Sequence, residues 1–162
     1  IDKNNGIDWS TISSTRIPGK KPYFLQDGDI IFYAKGSDNY AITLRDVPQR
    51  TVATSHLMVI RITNDIFIPE FIAWQINNSP IQAFLARFRA GGNKKHIAVG
   101  VLRSVEVMAA TLEQQENIIG LEGYTRKEID VYRAKIRNRQ RYLKGIAQKF
   151  LGGTGQEAIN EA

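Results

Sequence analysis

Phe71-Ile72-Ala73-Trp74-Gln75-Ile76-Asn77-Asn78-Ser79-Pro80 is the stretch on which the fold turns. Pro69 suits a first helical turn, where its missing N–H costs nothing, and Phe71, Ile72, Trp74 and Ile76 supply an apolar face at helical spacing. Trp74 belongs with the core rather than with a stacking platform. Ser79-Pro80 ends this helix and caps the next. The second helix covers residues 81–90 on Ile81, Phe84, Leu85 and Phe88, and Gly91 offers a left-handed stop. Beyond it, residues 97–103 and 105–108 read as one or two strands.

Upstream, the first 24 residues are polar and turn-rich, with Ile17-Pro18-Gly19-Lys20-Lys21-Pro22 as a loop. Leu25-Gln26-Asp27-Gly28-Asp29 is a turn leading into Ile30-Ile31-Phe32-Tyr33-Ala34, an apolar and aromatic run of the kind a buried strand uses. Residues 41–45 and 56–62 read as further strands, the latter alternating Leu57, Val59 and Arg61 against Met58, Ile60 and Ile62. Two polar connections, residues 35–40 and 46–51, separate the three strands. Residues 1–110 are therefore expected to form an α+β domain built on a mixed sheet.

Downstream, Thr111 with Gln114 and Thr125 with Glu128 each have the spacing of a capping box. With Gly120 and Gly123 between them, they predict a short helix, a bend and a longer helix over residues 126–151. On the second, Ile129, Tyr132, Ile136, Leu143, Ile146 and Phe150 follow a 3-4 spacing interrupted by Arg139, the pattern of a coiled-coil seam of about four heptads at most. So narrow a stripe on so polar a helix needs another helix to cover it. Residues 111–151 are thus a helical arm and 152–162, rich in glycine at the start, a flexible tail. No internal repeat is visible.

The net charge of +6 is not spread evenly. Residues 124–150 hold nine Lys and Arg against Glu128 and Asp130, whereas residues 1–123 nearly balance. Such a stripe favours a polyanion through phosphate neutralisation and counterion release, although a solvated helix face is the plainer reading. With 43% hydrophobic and 23% charged residues, the chain has the composition of an ordinary globular protein. No apolar run approaches the roughly 20 residues that cross a bilayer, and a cytoplasmic protein is expected. Cysteine is absent, and His56 and His96 show no metal-ligand spacing, so neither disulfides nor a metal site is expected. The chain begins with Ile1 and reads as an excised fragment or an N-terminally incomplete product.

Signals for catalysis are weak. Asp27 and Asp29 flank Gly28 and resemble a carboxylate pair, but a turn before a strand explains them better. Neither a phosphate-binding loop nor a nucleophile elbow is present. Asn77-Asn78-Ser79 matches a glycosylation triplet without a secretory leader. No cofactor is implied.

Four motifs stand in order: Leu25-Gln26-Asp27-Gly28-Asp29-Ile30-Ile31-Phe32; the helix Phe71 to Ser79; the glycine-lysine loop Gly91-Gly92-Asn93-Lys94-Lys95-His96-Ile97; and Leu112-Glu113-Gln114-Gln115. Together with the arm, they resemble a target recognition domain of a type I restriction-modification specificity subunit running into its helical arm. That family commonly has a proline before the Leu-Glu-Gln-Gln helix, which Val107-Met108-Ala109-Ala110-Thr111 lacks. A full specificity subunit carries two recognition domains and two arms, whereas this chain has one of each. Its strand opening lies close to the N-terminus, so the domain over residues 1–110 is expected to be N-terminally incomplete.

The resemblance implies a non-catalytic subunit that binds double-stranded DNA and directs a methyltransferase subunit and a restriction subunit to a bipartite site. An arm of about 25 residues would be roughly 38 Å long, close to one turn of DNA, and could set the distance between two heads. Two chains packed antiparallel through Ile129, Tyr132, Ile136, Leu143, Ile146 and Phe150 would restore two heads as a homodimer. Base readout needs donor–acceptor side chains on loops. Lys35, Ser37, Asn39, Tyr40, Arg45, Gln49, Arg50 and Thr51 offer them in the first two connections, and Asn93, Lys94, Lys95 and His96 in the third. Solubilising turns are the plain alternative for all of these. On the arm, Arg137, Arg141 and Lys144 suit DNA or an acidic subunit. The rival functions are a small nuclease, which requires clustered carboxylates, and an oligomerisation module whose head merely packs.

Overall fold

A computed structural model describes residues 6–14, 22–36, 38–89 and 96–152. Three short strands form an antiparallel sheet in the order β2-β1-β3: β1 (Ile30–Tyr33) at the centre, β2 (Tyr40–Thr43) and β3 (Leu57–Ile60) at its flanks. Four helices follow: α1 (Pro69–Asn77), α2 (Ile81–Arg89), α3 (Val99–Arg103) and α4 (Leu112–Gly152). The chain divides into two compact units, Ile1–Ile119 and Gly120–Ala162. The class is α+β, as the periodicities imply. The sheet among the described residues, however, is antiparallel and not mixed, because β2 and β3 flank β1 and each pairs with it antiparallel.

Both faces of the sheet are covered, which explains why β1 reads as a continuous apolar run rather than an alternating one. One face presents Ile30, Phe32, Ala41, Met58 and Ile60 to α1 and α2, where Phe71, Ile72, Ala73, Ile76, Ile81 and Leu85 complete the core. Residues of the opposite parity, Ile31, Tyr33, Tyr40, Ile42, Leu57 and Val59, meet Ile7 and Trp9 of the N-terminal segment with Leu25, Leu44, Val47 and Ala53. The alternation expected for residues 57–62 is thus realised, Leu57 and Val59 on one face, Met58, Ile60 and Ile62 on the other. Trp74 is half-buried against the core and stacks on Phe71 at 5.8 Å.

Three expectations are corrected. Residues 97–103 do not continue as a strand. Ile97 donates its N–H to the Ala34 carbonyl (2.9 Å), and the chain then turns into the five-residue α3, with Val101 and Leu102 on the core. Residues 105–108 form no strand either. Gln75, buried on α1, accepts from the Met108 N–H (2.7 Å) and donates to its carbonyl (3.1 Å), taking the groups a ladder would use. Finally, the helix is not interrupted at Gly120 and Gly123: α4 runs unbroken over 41 residues. Each glycine costs about 1 kcal/mol relative to alanine in a helix, less than restarting a helix would, since nucleation is the unfavourable step. The capping box forms at Thr111, whose hydroxyl accepts from the Gln114 N–H (3.3 Å) while its own N–H donates to Gln114 Oε1 (3.0 Å); Thr125 lies inside the helix.

The polar letters of the head's motifs are joints. Asp29, 1% exposed, accepts from Arg61 Nε and Nη2 (both 2.6 Å) and from the Gln26 N–H. Asn77 grips the β2 backbone, accepting from the Ala41 N–H and donating to its carbonyl, both at 2.7 Å. Gln115, fully buried, accepts from the Ile68 N–H and donates to the carbonyls of Ile66 and Ala110, all at 2.8 Å. Buried amides bonded in this way satisfy backbone that no strand or helix reaches. The first two turns of α4, with Ile118 and Ile119 on the core, therefore belong to the head.

Candidate nucleic-acid interface

The candidate reading residues fall at opposite ends of the three-stranded sheet. Tyr33 of β1 faces Tyr40 and Leu57, so the connection over residues 35–39 lies at one end; Ile30 faces Thr43 and Ile60, so residues 44–51 lie at the other. Four-residue strands separate the two groups by about 13 Å at ~3.3 Å per residue.

At the first end, Lys35 and His96 are exposed and joined by an antiparallel bridge, which unites two loops far apart in sequence. His56, just before β3, is exposed at this end as well. Asn39 and Tyr40 are not available for reading. Asn39 is fully buried, its Nδ2 donating to the Tyr33 carbonyl (3.1 Å) and its Oδ1 accepting from Arg89 Nε (2.9 Å). Arg89 is held in turn by Gln82 Oε1 (2.6 Å). Tyr40 is buried and stacks on Tyr33 at 5.4 Å. Ser37, Asn93, Lys94, Lys95 and the expected stop at Gly91 lie outside the described residues, as do the loop over 17–21 and the tail from 153.

At the second end, a loop is built to present its tip. Asp27 Oδ1 accepts from the Val47 N–H (2.8 Å), Trp9 Nε1 donates to the Arg45 carbonyl (2.9 Å), and the Leu25 N–H donates to the Thr51 carbonyl (2.9 Å). Thr51 closes a turn on Pro48 through both its N–H (3.3 Å) and its hydroxyl (2.6 Å). Gln49 and Arg50 are the exposed pair at the tip, and Arg50 adopts a left-handed φ of 61° that non-glycine residues rarely take. Arg45 is exposed but paired with Glu70 in the first turn of α1. Of the four residues expected here, Gln49 and Arg50 thus point outward unengaged by any ion pair, Arg45 is tied back, and Thr51 shapes the turn.

Sequence reading missed two neighbours of this loop. Tyr23 and Phe24, both exposed, lie beneath Arg61 (4.4 Å from the ring centre) and Arg50 (5.9 Å), giving an aromatic and cationic surface. The adjacent Lys20-Lys21 was the available signal, an aromatic pair next to a basic one. The hydrogen bond to Asp29 pushes the Arg61 guanidinium further up, so its charge is fixed. Asp27 and Asp29 are both engaged in structural bonds, which answers the carboxylate-pair reading in favour of a turn; Gly28 between them has a φ of 84°.

The arm presents charge and apolar surface together. Its nine cations between residues 124 and 150 are all exposed. Among the described residues its ion pairs are Arg126 with Glu122 and Arg133 with Asp130. The seam is exposed too, Tyr132 at 55%, Ile136 at 57%, Leu143 at 57% and Phe150 at 75%, with Ile129 exposed and Ile146 half-buried. Among the described residues no group of His, Asp or Glu is placed to hold a metal ion, and no helix is long and apolar enough to cross a membrane. No family model matches this chain, and no curated protein matches it.

Proposed function

We propose that this chain is a sequence-specific DNA-binding component of the type I restriction-modification class: the head reads part of a bipartite site, and the arm joins it to a second head. It would act without chemistry of its own, directing a methyltransferase subunit and a restriction subunit to the site. The observation that carries the reading is the run from residue 131 to 151, in which seven exposed Lys and Arg occur without one acid. So dense a cationic surface gains most from phosphate. The head supplies the complement, a braced loop with Gln49 and Arg50 at its tip and Lys35 with His96 at the far end of the sheet.

The arm also supports antiparallel association. Overlap of two arms over residues 120–152 would set Glu122, Glu128 and Asp130 of one chain against the cationic end of the other, while a parallel pair would align like charges. Covering the seam would bury Ile129, Tyr132, Ile136, Leu143, Ile146 and Phe150, and Arg139 within it restricts the register to one in which its charge finds an acid or solvent. The test is a pair of titrations. Arg50→Ala with Gln49→Ala should reduce the preference for cognate over random duplex, and Ile136→Asp with Leu143→Asp should give a monomer with an intact head. A wild-type chain that binds no duplex DNA at low salt, or that is monomeric at micromolar concentration, contradicts the respective half of the reading.

A further inference from the structure

The cations of α4 are not confined to the seam side. With Ile129, Ile136, Leu143 and Phe150 at heptad position a, and Tyr132, Arg139 and Ile146 at d, Arg137 and Lys144 fall at b and Arg141 at f. These are outer positions, turned away from whatever packs on the seam. All three side chains are exposed, and among the described residues none makes an ion pair. Small or neutral residues flank them, and a shallow groove lined by Val131, Ala134, Lys135, Arg137, Asn138 and Arg141 lies on this face.

We propose that Arg137, Arg141 and Lys144 form a rail for the phosphate backbone of duplex DNA, so that the arm holds DNA on its outer face while its apolar face packs on another helix. The inference rests on the reading of the chain as a DNA-binding protein and adds where the arm meets the duplex. Three features select DNA over an acidic protein. Residues 137 to 144 cover about 10 Å of helix, the axial rise of roughly three phosphates of one strand. Arg137 and Arg141 are four residues apart and repel one another on the bare helix, a repulsion that a polyanion removes. The b and f positions from 130 to 148 are Asp130, Ala134, Arg137, Arg141, Lys144 and Gln148, without the large apolar anchor on which protein interfaces depend.

The experiment compares two variants of the full chain, R137Q/R141Q/K144Q on the rail and R87Q/R103Q in the head, all five residues being exposed. Affinity for a random-sequence duplex of about 30 base pairs is measured against salt, beside circular dichroism and light scattering to show that helix content and assembly are unchanged. The rail variant should lower the magnitude of the slope of log K against log salt by about 2–3, at ~0.9 per phosphate contact, and the control by less than about 1. Equal changes in the two variants, or no change on the rail, overturn the proposal. So does an unchanged slope combined with lost binding of the methyltransferase subunit, which would assign the face to an acidic protein. Failure of the rail leaves the sequence preference of the head intact, whereas an unmodified chain without salt-dependent DNA binding refutes the functional reading itself.

Discussion

The head and the arm use the same kinds of side chain to opposite ends. In the unit Ile1–Ile119, several amides and a carboxylate among the described residues turn inward and are answered: Asn39 by Tyr33 and Arg89, Gln75 by Met108, Asn77 by Ala41, Gln115 by Ile66, Ile68 and Ala110, Asp29 by Arg61. In the unit from Gly120, Arg, Lys and Gln stand in solvent beside Ile136, Leu143 and Phe150, and the helix offers an apolar seam as well as a cationic face. A polar residue that closes a core specifies one structure, because leaving its partner unmet costs about 1–3 kcal/mol. A polar residue on an open helix contributes to stability only a little and is available for recognition. These inward polar groups of the head find their partners within it, while the apolar seam of the arm stands exposed.

Two phenylalanines give the largest contrast. Phe32→Ala empties a fully buried site and should lower the stability of the head by about 3–5 kcal/mol, whereas Phe150→Ala should leave head melting unchanged. Comparable losses for the two would abolish the distinction. Asp29→Ala should cost the head about 3 kcal/mol by removing the carboxylate that Arg61 and the Gln26 N–H both bond; urea denaturation showing less than about 1 kcal/mol would mean that Arg61 swings into solvent. Asn39→Ala should destabilise the head by about 1–3 kcal/mol, since Tyr33 and Arg89 both lose a partner, and should not alter sequence preference in proportion. Arg50→Ala should do the reverse, changing DNA preference with little effect on melting. The smallest effect is on the arm: Gly123→Ala, where an added methyl meets nothing within 4 Å, should stabilise the helix by about 0.5–1 kcal/mol. A loss of helicity on that substitution would restore the bend that the two glycines led sequence reading to expect.

Local chemistry was legible, long-range partnership was not. The turn into β1 announced itself through Asp27-Gly28-Asp29, α1 and α2 through their periodicity, and the head of α4 through the Thr111 and Gln114 box. Residues 97–103 misled because a short apolar run fits a buried strand or a one-turn helix equally well, and residues 105–108 because Gln75, more than thirty positions earlier, holds the Met108 backbone. Asn39 sits in a polar connection that looks like a loop tip; that it turns inward depends on Arg89, fifty residues later. Gln75, Asn77 and Gln115 appeared as letters of a motif, and their common signal was a polar residue on the apolar side of a helix. The division of the candidate site between two ends of the sheet follows from strand register, which single-chain patterning does not supply.

The most direct test of the account is selection of bound sequences from a random duplex pool by the purified full chain, at low and at physiological salt. Enrichment of a two-part, two-fold related sequence, with preference retained as overall affinity falls with salt, is the predicted result. Recovery of the pool without any enriched sequence would contradict it, leaving a cationic helix on a packed head with no reading function.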